Sequence, residues 1–186
     1  MECQKNLLDK NHDNALQYIL LEGDTANSVA QTRTEGAIST LNSLGIKIQK
    51  LQSVNTYWNK DLARLYTENS IIRYANNIEA IIANNDYIAI GAIEALQKYG
   101  YNTGNKLKHI PVFGIDGTEE ATALVDKNTM AGTVIEDNIP YAKAIYEIGI
   151  NLINNSPPTK NTPYKIINGK ISIPLVYSEY IPHTSS

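Results

Sequence analysis

The sequence predicts an α/β fold, a mostly parallel sheet with helices on both faces. Three observations carry that expectation. Short apolar runs alternate with amphipathic stretches along most of the 186 residues. Two of the runs, Ala80-Ile81-Ile82-Ala83 and Ile110-Pro111-Val112-Phe113-Gly114-Ile115, are apolar at consecutive positions, the mark of strands buried on both faces. Polar turn residues, among them Asn85-Asp86 and Asp116-Gly117, close those runs at the carboxyl end.

Residues 1–8 read as a tail or the end of a helix, and Asp9 to Asn14 is a polar run. Gln17 to Leu21 reads as a strand closed by Glu22-Gly23-Asp24. Asn27 to Leu44 carries a helical stripe at Ala30, Ala37, Ile38, Leu41 and Leu44, and Gly45 stops it. Ile46 to Leu51 alternates as a less buried strand, and a loop with Trp58 follows. A helix is expected from about Asp61 to Ala75, with Leu62, Leu65, Tyr66, Ile72 and Ala75 inward. After the strand at 80–83, a helix runs to Tyr99 on Ile88, Ala92, Ala95 or Leu96, and Tyr99. The strand ending at Asp116, a short helix over Glu119–Asp126 and a strand from Ala131 to Ile135 come next. A helix over Asn138–Leu152 presents Ala142, Ile145, Gly149 and Leu152 on one face. Strands are expected at 164–168 and 170–177, before a polar tail.

Composition narrows the function classes. Hydrophobic residues make up 42%, charged residues 19%, and the net charge is −3. That describes a globular chain with no basic surface for nucleic acid. No apolar run is long enough to insert into a membrane, and Met1 to Lys10 is too polar for a signal peptide. Cys3 is the only cysteine, which rules out an internal disulfide or thiolate metal site.

Asp9, Asn11, Asp13, Ala15 and Gln17 place oxygen donors at alternate positions. The pattern D-x-N-x-D opens an EF-hand calcium loop, in which positions 1, 3 and 5 give side-chain oxygens and position 7 a carbonyl. Position 6 is Asn14, the next-best residue after Gly for a left-handed turn. Position 12 is Leu20 rather than a bidentate Glu, so the loop lacks a carboxylate. Glu79, at the amino end of a neighbouring strand, is placed to supply it. The alternative is a solvated Asp/Asn-rich turn.

At or just past the carboxyl ends of the strands lie Asp24, Asn27, Arg33, Trp58, Asn85, Asp86, Asp116 and Glu136. Ligands of open α/β sheets bind at that edge. Amides, carboxylates and a guanidinium bond bidentately to adjacent hydroxyls, and a Trp face stacks on a sugar ring. No nucleophile–base pair accompanies them, so the set suits binding without chemistry and an enzyme is not expected. Each residue has a plainer reading: Asn85 or Asp86 as helix caps, Asp116 as a turn residue, Trp58 as core, Arg33 as a surface partner of Glu35 or Asp24, Glu136 as solvated.

The stretches Asp9–Leu21, Leu51-Gln52 through Trp58, Ile81–Asp86, Gly91–Leu96, Ile110–Asp116 and Ala131–Val134 together resemble the galactose/glucose-binding periplasmic proteins, of the type I periplasmic binding protein fold. The resemblance covers nearly the whole chain. It implies a Ca²⁺ held by Asp9, Asn11, Asp13, the Ala15 carbonyl, Gln17 and Glu79. It also implies monosaccharide contacts at Asn27, Arg33, Trp58, Asn85, Asp116 and Glu136. Three positions depart: Asn27 replaces a family His, Val29 a family Asp, and Glu136 a family Asn. It further implies that residues 1–136 and 175–186 form the C-terminal sugar-binding lobe with its calcium loop. The segment 137–174 would then belong to an N-terminal lobe absent from this chain, its apolar faces covered by that lobe or by a second copy. The function implied is solute binding for an ABC transporter permease or a chemoreceptor, in the periplasm or at the cell surface. The alternative is a truncated homologue acting as a calcium-stabilised interaction or sensor module.

Overall fold

The structure, a computed structural model, describes residues 9–182; the readings made for residues 1–8, for Cys3 and for the end of the tail lie outside them. Six strands form one sheet. They are β1 (Leu16–Glu22), β2 (Ile48–Asn55), β3 (Ala80–Ala83), β4 (Val112–Asp116), β5 (Gly132–Asp137) and β8 (Val176–Tyr180), in the order β2-β1-β3-β4-β5-β8. β1 pairs in parallel with both β2 and β3, and β3 with β4. The chain leaves β1 towards β2 and then crosses back to β3 on the other side. That reversal opens a crevice beyond the carboxyl ends of β1 and β3, where open α/β sheets take their ligands.

Five α-helices belong to the described chain: α1 (Ser28–Ser43), α2 (Lys60–Tyr74), α3 (Asp86–Lys98), α4 (Glu119–Asp126) and α5 (Ile139–Ile153). Central strands explain the unbroken apolar runs. Ile19, Leu21, Ile81 and Val112 have no solvent exposure, and they pack with Ile88, Ala89, Ala92 and Leu96 of α3 into the main core. A second cluster, Leu16, Tyr18, Leu20 and Ala80, lies with Ile38 of α1 and Ile46 and Ile48 at its edge.

Several sequence expectations shift. β2 starts at Ile48, not Ile46, because the Ile46 amide donates to Leu41 O (3.1 Å) and closes α1 behind Gly45. The strand runs on to Asn55, and the β1–β2 register slips between Tyr18 and Ile19, so that Lys50 and Gln52 face successive residues. On α2 the inward face is Ala63, Thr67, Ser70 and Ile71, while Leu65 and Ile72 are exposed. The period was right and the phase wrong: small residues turn inward because α2 must approach α3 closely. The expected strand over 170–177 is two strands, β7 (Lys170–Ser172) and β8. β7 pairs antiparallel with β6 (Lys165–Ile167) around Asn168-Gly169, both at positive φ, which is type I′ hairpin chemistry.

The described residues divide into two compact units, 9–134 with 179–182, and 135–178. The second unit holds α5 and the β6–β7 hairpin. Within it, Tyr164 donates to Glu147 Oε2 (2.7 Å) and the Asn151 amide donates to Pro158 O and Lys160 O. Only Ala144 of α5 is buried. The face expected to be apolar is open, with Ala142, Ile145 and Leu152 all exposed.

Two glycines test the packing account. A Cβ on Gly91 would sit 2.3 Å from Lys60 O, whereas one on Gly36, mid-α1, meets nothing within 4 Å. Gly91→Ala is expected to lower the unfolding free energy by about 1–3 kcal/mol through overpacking. Gly36→Ala is expected to raise it by about 0.5–1 kcal/mol through helix propensity. Urea denaturation followed by circular dichroism measures both.

Candidate functional site

The amino rim of β3 meets the 9–17 loop. Glu79 is fully buried, and its carboxylate accepts three backbone amides: Lys10 (2.5 Å) and Asn11 (3.3 Å) on Oε1, and Gln17 (2.9 Å) on Oε2. Three donors offset the cost of burying the charge. The loop wraps its own side chains: Asp9 accepts from the amides of Asp13 and Asn14, and Asp13 Oδ1 from the amide of Ala15. Asn14 has φ 64° and His12 φ 60°, so Asn14 makes the left-handed turn that loop position 6 demands.

The donor chemistry suits a hard cation. The side-chain amides of Asn11 (3.1 Å) and Gln17 (2.6 Å) both donate to Asp13 Oδ2. Two N–H groups thus converge on the carboxylate as a cation would, and rotation of each amide presents an oxygen instead. Asp9, Asn11, Asp13, the Ala15 carbonyl and Gln17 are the residues able to hold such an ion, with Glu79 behind them. Among the described residues no three His, Cys, Asp or Glu side chains converge as a metal cage, so amide and carbonyl oxygens carry much of this set. Beside the loop, Lys10 Nζ donates to His109 O. Desolvation lowers the Lys10 pKa while Glu79 opposes that shift, and burial followed by Lys10 lowers that of His109.

The carboxyl rim holds the second constellation. Arg33, on α1, places Nη2 2.9 Å from Asp116 Oδ1 and donates from Nη1 to Asn84 O (2.9 Å). Asp116 adopts φ 126° at the end of β4, a region unfavourable to any residue but Gly and typical of functional turns. Trp58 lies against Gly23: a Cβ there would come within 2.3 Å of the indole. Tyr57 and Trp58 are consecutive at φ 50° and 60°, so the loop is held out of its preferred geometry to set the ring there.

Other candidates take plainer parts. Asn85 caps α3, its Oδ1 accepting the Ile88 amide (3.0 Å), and Asn27 caps α1 by accepting the Val29 amide (2.8 Å). Glu136, half-buried on β5, belongs to the second compact unit. Asp86 is no cap: its buried carboxylate accepts Thr118 N (2.8 Å), Thr118 Oγ1 (3.2 Å) and Thr133 Oγ1 (2.6 Å). Asn84, which sequence reasoning passed over, is buried and fully bonded: Oδ1 takes the Gly23 amide (3.0 Å) and Nδ2 gives to Thr34 Oγ1 (2.9 Å). The signal that would have found it is two adjacent amides where one cap suffices.

Residues 3–157 match the periplasmic binding protein domain family. The chain belongs to that family. It is 34% identical over 170 residues to the D-galactose/methyl-galactoside binding periplasmic protein of Haemophilus influenzae, covering 91% of this chain and 49% of that protein. Among solved structures it is similar to a galactofuranose binding protein, with a TM-score of 0.71 at 19% identity over 96% of this chain and 57% of that one. It is also similar to an Actinobacillus succinogenes 130z ABC transporter solute binding protein with bound D-allose, with a TM-score of 0.65 at 23% identity over 94% and 57%. These structures establish the α/β fold. The chain spans about half the length of the curated relatives it matches. Membership of a binding-protein family agrees with the lack of a nucleophile–base pair in the sequence. Among the described residues, no helix is long and apolar enough to cross a membrane.

The contact of Trp58 with Gly23 yields a test. Gly23 is not at positive φ, so Gly23→Ala leaves the backbone unstrained and acts on the ring alone. The expected result is a red-shifted Trp58 emission and faster acrylamide quenching, with the far-UV spectrum unchanged.

Proposed function

We propose that this chain is the sugar-gripping portion of a periplasmic or cell-surface solute-binding protein serving an ABC-type permease or a chemoreceptor. The carrying observation is the Arg33–Asp116 pair, 2.9 Å apart at the switch between β1 and β3, joined through Asn84 to Gly23, the residue that the Trp58 indole lies against. A guanidinium and a carboxylate at that spacing bond adjacent hydroxyls from opposite senses, one donating and one accepting. The Trp58 face covers the apolar side of a pyranose. Asn85 has amide protons beyond its cap to offer, and Asn27 is assigned an outer contact. A galactose- or glucose-like monosaccharide is the proposed ligand class, in keeping with the D-galactose/methyl-galactoside binding relative.

The residues of the 9–17 loop with Glu79 are assigned a Ca²⁺ ion. When bound, the ion supplies a fixed positive charge that neutralises Asp9 and Asp13 and ties the loop to the amino rim of β3. The second reading, an interaction or sensor module that keeps fold and metal with little sugar binding, is favoured by the open apolar face of α5.

Two measurements decide. Half a cleft leaves one face of a sugar in water, so glucose and galactose titrations followed by Trp58 fluorescence are expected to give no saturation at micromolar concentration; saturation there refutes the half-site argument. Calcium at a hundredfold excess over its dissociation constant should raise Tm by roughly 5–10 °C, and Asp13→Ala should remove the increase. Identical melting of wild type with calcium and with chelator sinks the metal assignment.

A further inference from the structure

The two residues flanking Asn85 are both buried and face opposite walls of the carboxyl-rim crevice. Asn84 reaches towards β1 and α1. Its Oδ1 holds the Gly23 amide, and Gly23 is the residue against the Trp58 ring. The Gly23 carbonyl in turn accepts the Tyr57 amide (3.2 Å). Its Nδ2 holds Thr34, next to Arg33, and its carbonyl accepts Arg33 Nη1. Every polar group of Asn84 is therefore spent on the wall that carries Trp58 and Arg33.

Asp86 reaches the other way. Its carboxylate holds Thr118 twice and Thr133 once, and the Thr133 hydroxyl accepts the Gly117 amide (3.3 Å). The bonded residues are the two that follow Asp116 and the β5 residue beside them. β4 makes room for this carboxylate with Gly114, where a Cβ would lie 2.4 Å from Asp86 Oδ1. Simple helix capping accounts for none of these bonds, because Asn85 already supplies the cap of α3 and Thr118 that of α4.

We infer that Asn84 and Asp86 are positioning residues for ligand recognition, Asn84 setting Trp58 and Arg33 and Asp86 setting the turn of Asp116. The tripeptide 84–86 then works as a spreader that fixes the gap between an aromatic wall and an acidic wall. The inference rests on the sugar-binding reading for what the gap holds.

Mild variants test it without removing the buried groups themselves. Thr34→Val deletes the acceptor of Asn84, and Thr133→Val deletes the bridge between Asp86 and Gly117; Thr34→Ser and Thr133→Ser restore each hydroxyl. The first readout needs no sugar. Thr34→Val is expected to change Trp58 emission while leaving the Gly117 and Thr118 amide resonances in place. Thr133→Val is expected to shift those two resonances and leave Trp58 emission alone, and each Ser variant to return to the wild-type value. The second readout is a millimolar galactose titration by NMR, in which each Val variant should bind about fivefold more weakly. Val variants that change neither readout, or Ser variants that do not rescue, overturn the positioning roles. Wild type showing no galactose-dependent shift refutes the sugar reading, and the sugar-free spectra still judge whether 84 and 86 set the two walls.

Discussion

A carboxylate with no access to water sits at the root of this molecule. Glu79 immediately precedes β3, the shortest strand of the sheet at four residues, and three backbone amides from a loop some seventy positions earlier close on it. An unpaired buried charge is costly enough that the group would neutralise or the site would open. Satisfying it obliges the 9–17 loop to fold against β3. That in turn fixes where β1 starts, since the Glu79 amide donates to Gln17 O as the carboxylate takes the Gln17 amide. Parallel pairing of Tyr18–Leu21 with Ala80–Ala83 follows, and the positions of Gly23 and Asn84 at the far ends follow from that register.

The two rims differ in chemistry. The amino rim is rich in oxygen donors on one continuous loop, which suits a spherical cation. The carboxyl rim gathers its groups from α1, the β2–α2 loop and the β4–α4 turn, which suits a ligand with several faces. Family membership places this arrangement among binding proteins, and the chain's extent, about half that of its curated relatives, makes any complete cleft a property of more than these residues.

Much of this was legible beforehand, for identifiable reasons. The strand at 80–83 and the helix after it could be read because burial on both faces leaves uninterrupted apolar letters. The self-bonded D-x-N-x-D turn could be read because its side-chain spacing is local, and Asn14 at a left-handed turn followed from the same spacing. Arg33 and Asp116 could be listed from strand ends, but their contact is tertiary and no spacing encodes it. Helix α2 shows the limit. Its large apolar residues suggested one face, yet Ala63 and Ser70 turn inward, because an interhelical gap narrow enough to require Gly91 admits only small side chains. Asn84 went unread, and Asp86 was read only as a strand-end candidate or a helix cap, for a similar reason: a polar letter after an apolar run signals a turn equally well whether it is solvated or buried in a network.

The Arg33–Asp116 contact differs in kind from the bonds that frame it. Its side chains retain 15% and 34% of their exposure, so mobile electrolyte reaches them, whereas Glu79 and Asp86 are sealed from it. Raising ionic strength therefore loosens the charged latch across the crevice and leaves the scaffold on either side of it untouched. The crevice thus carries an adjustable joint between two sealed carboxylates, and the medium around it sets how firmly that joint is shut.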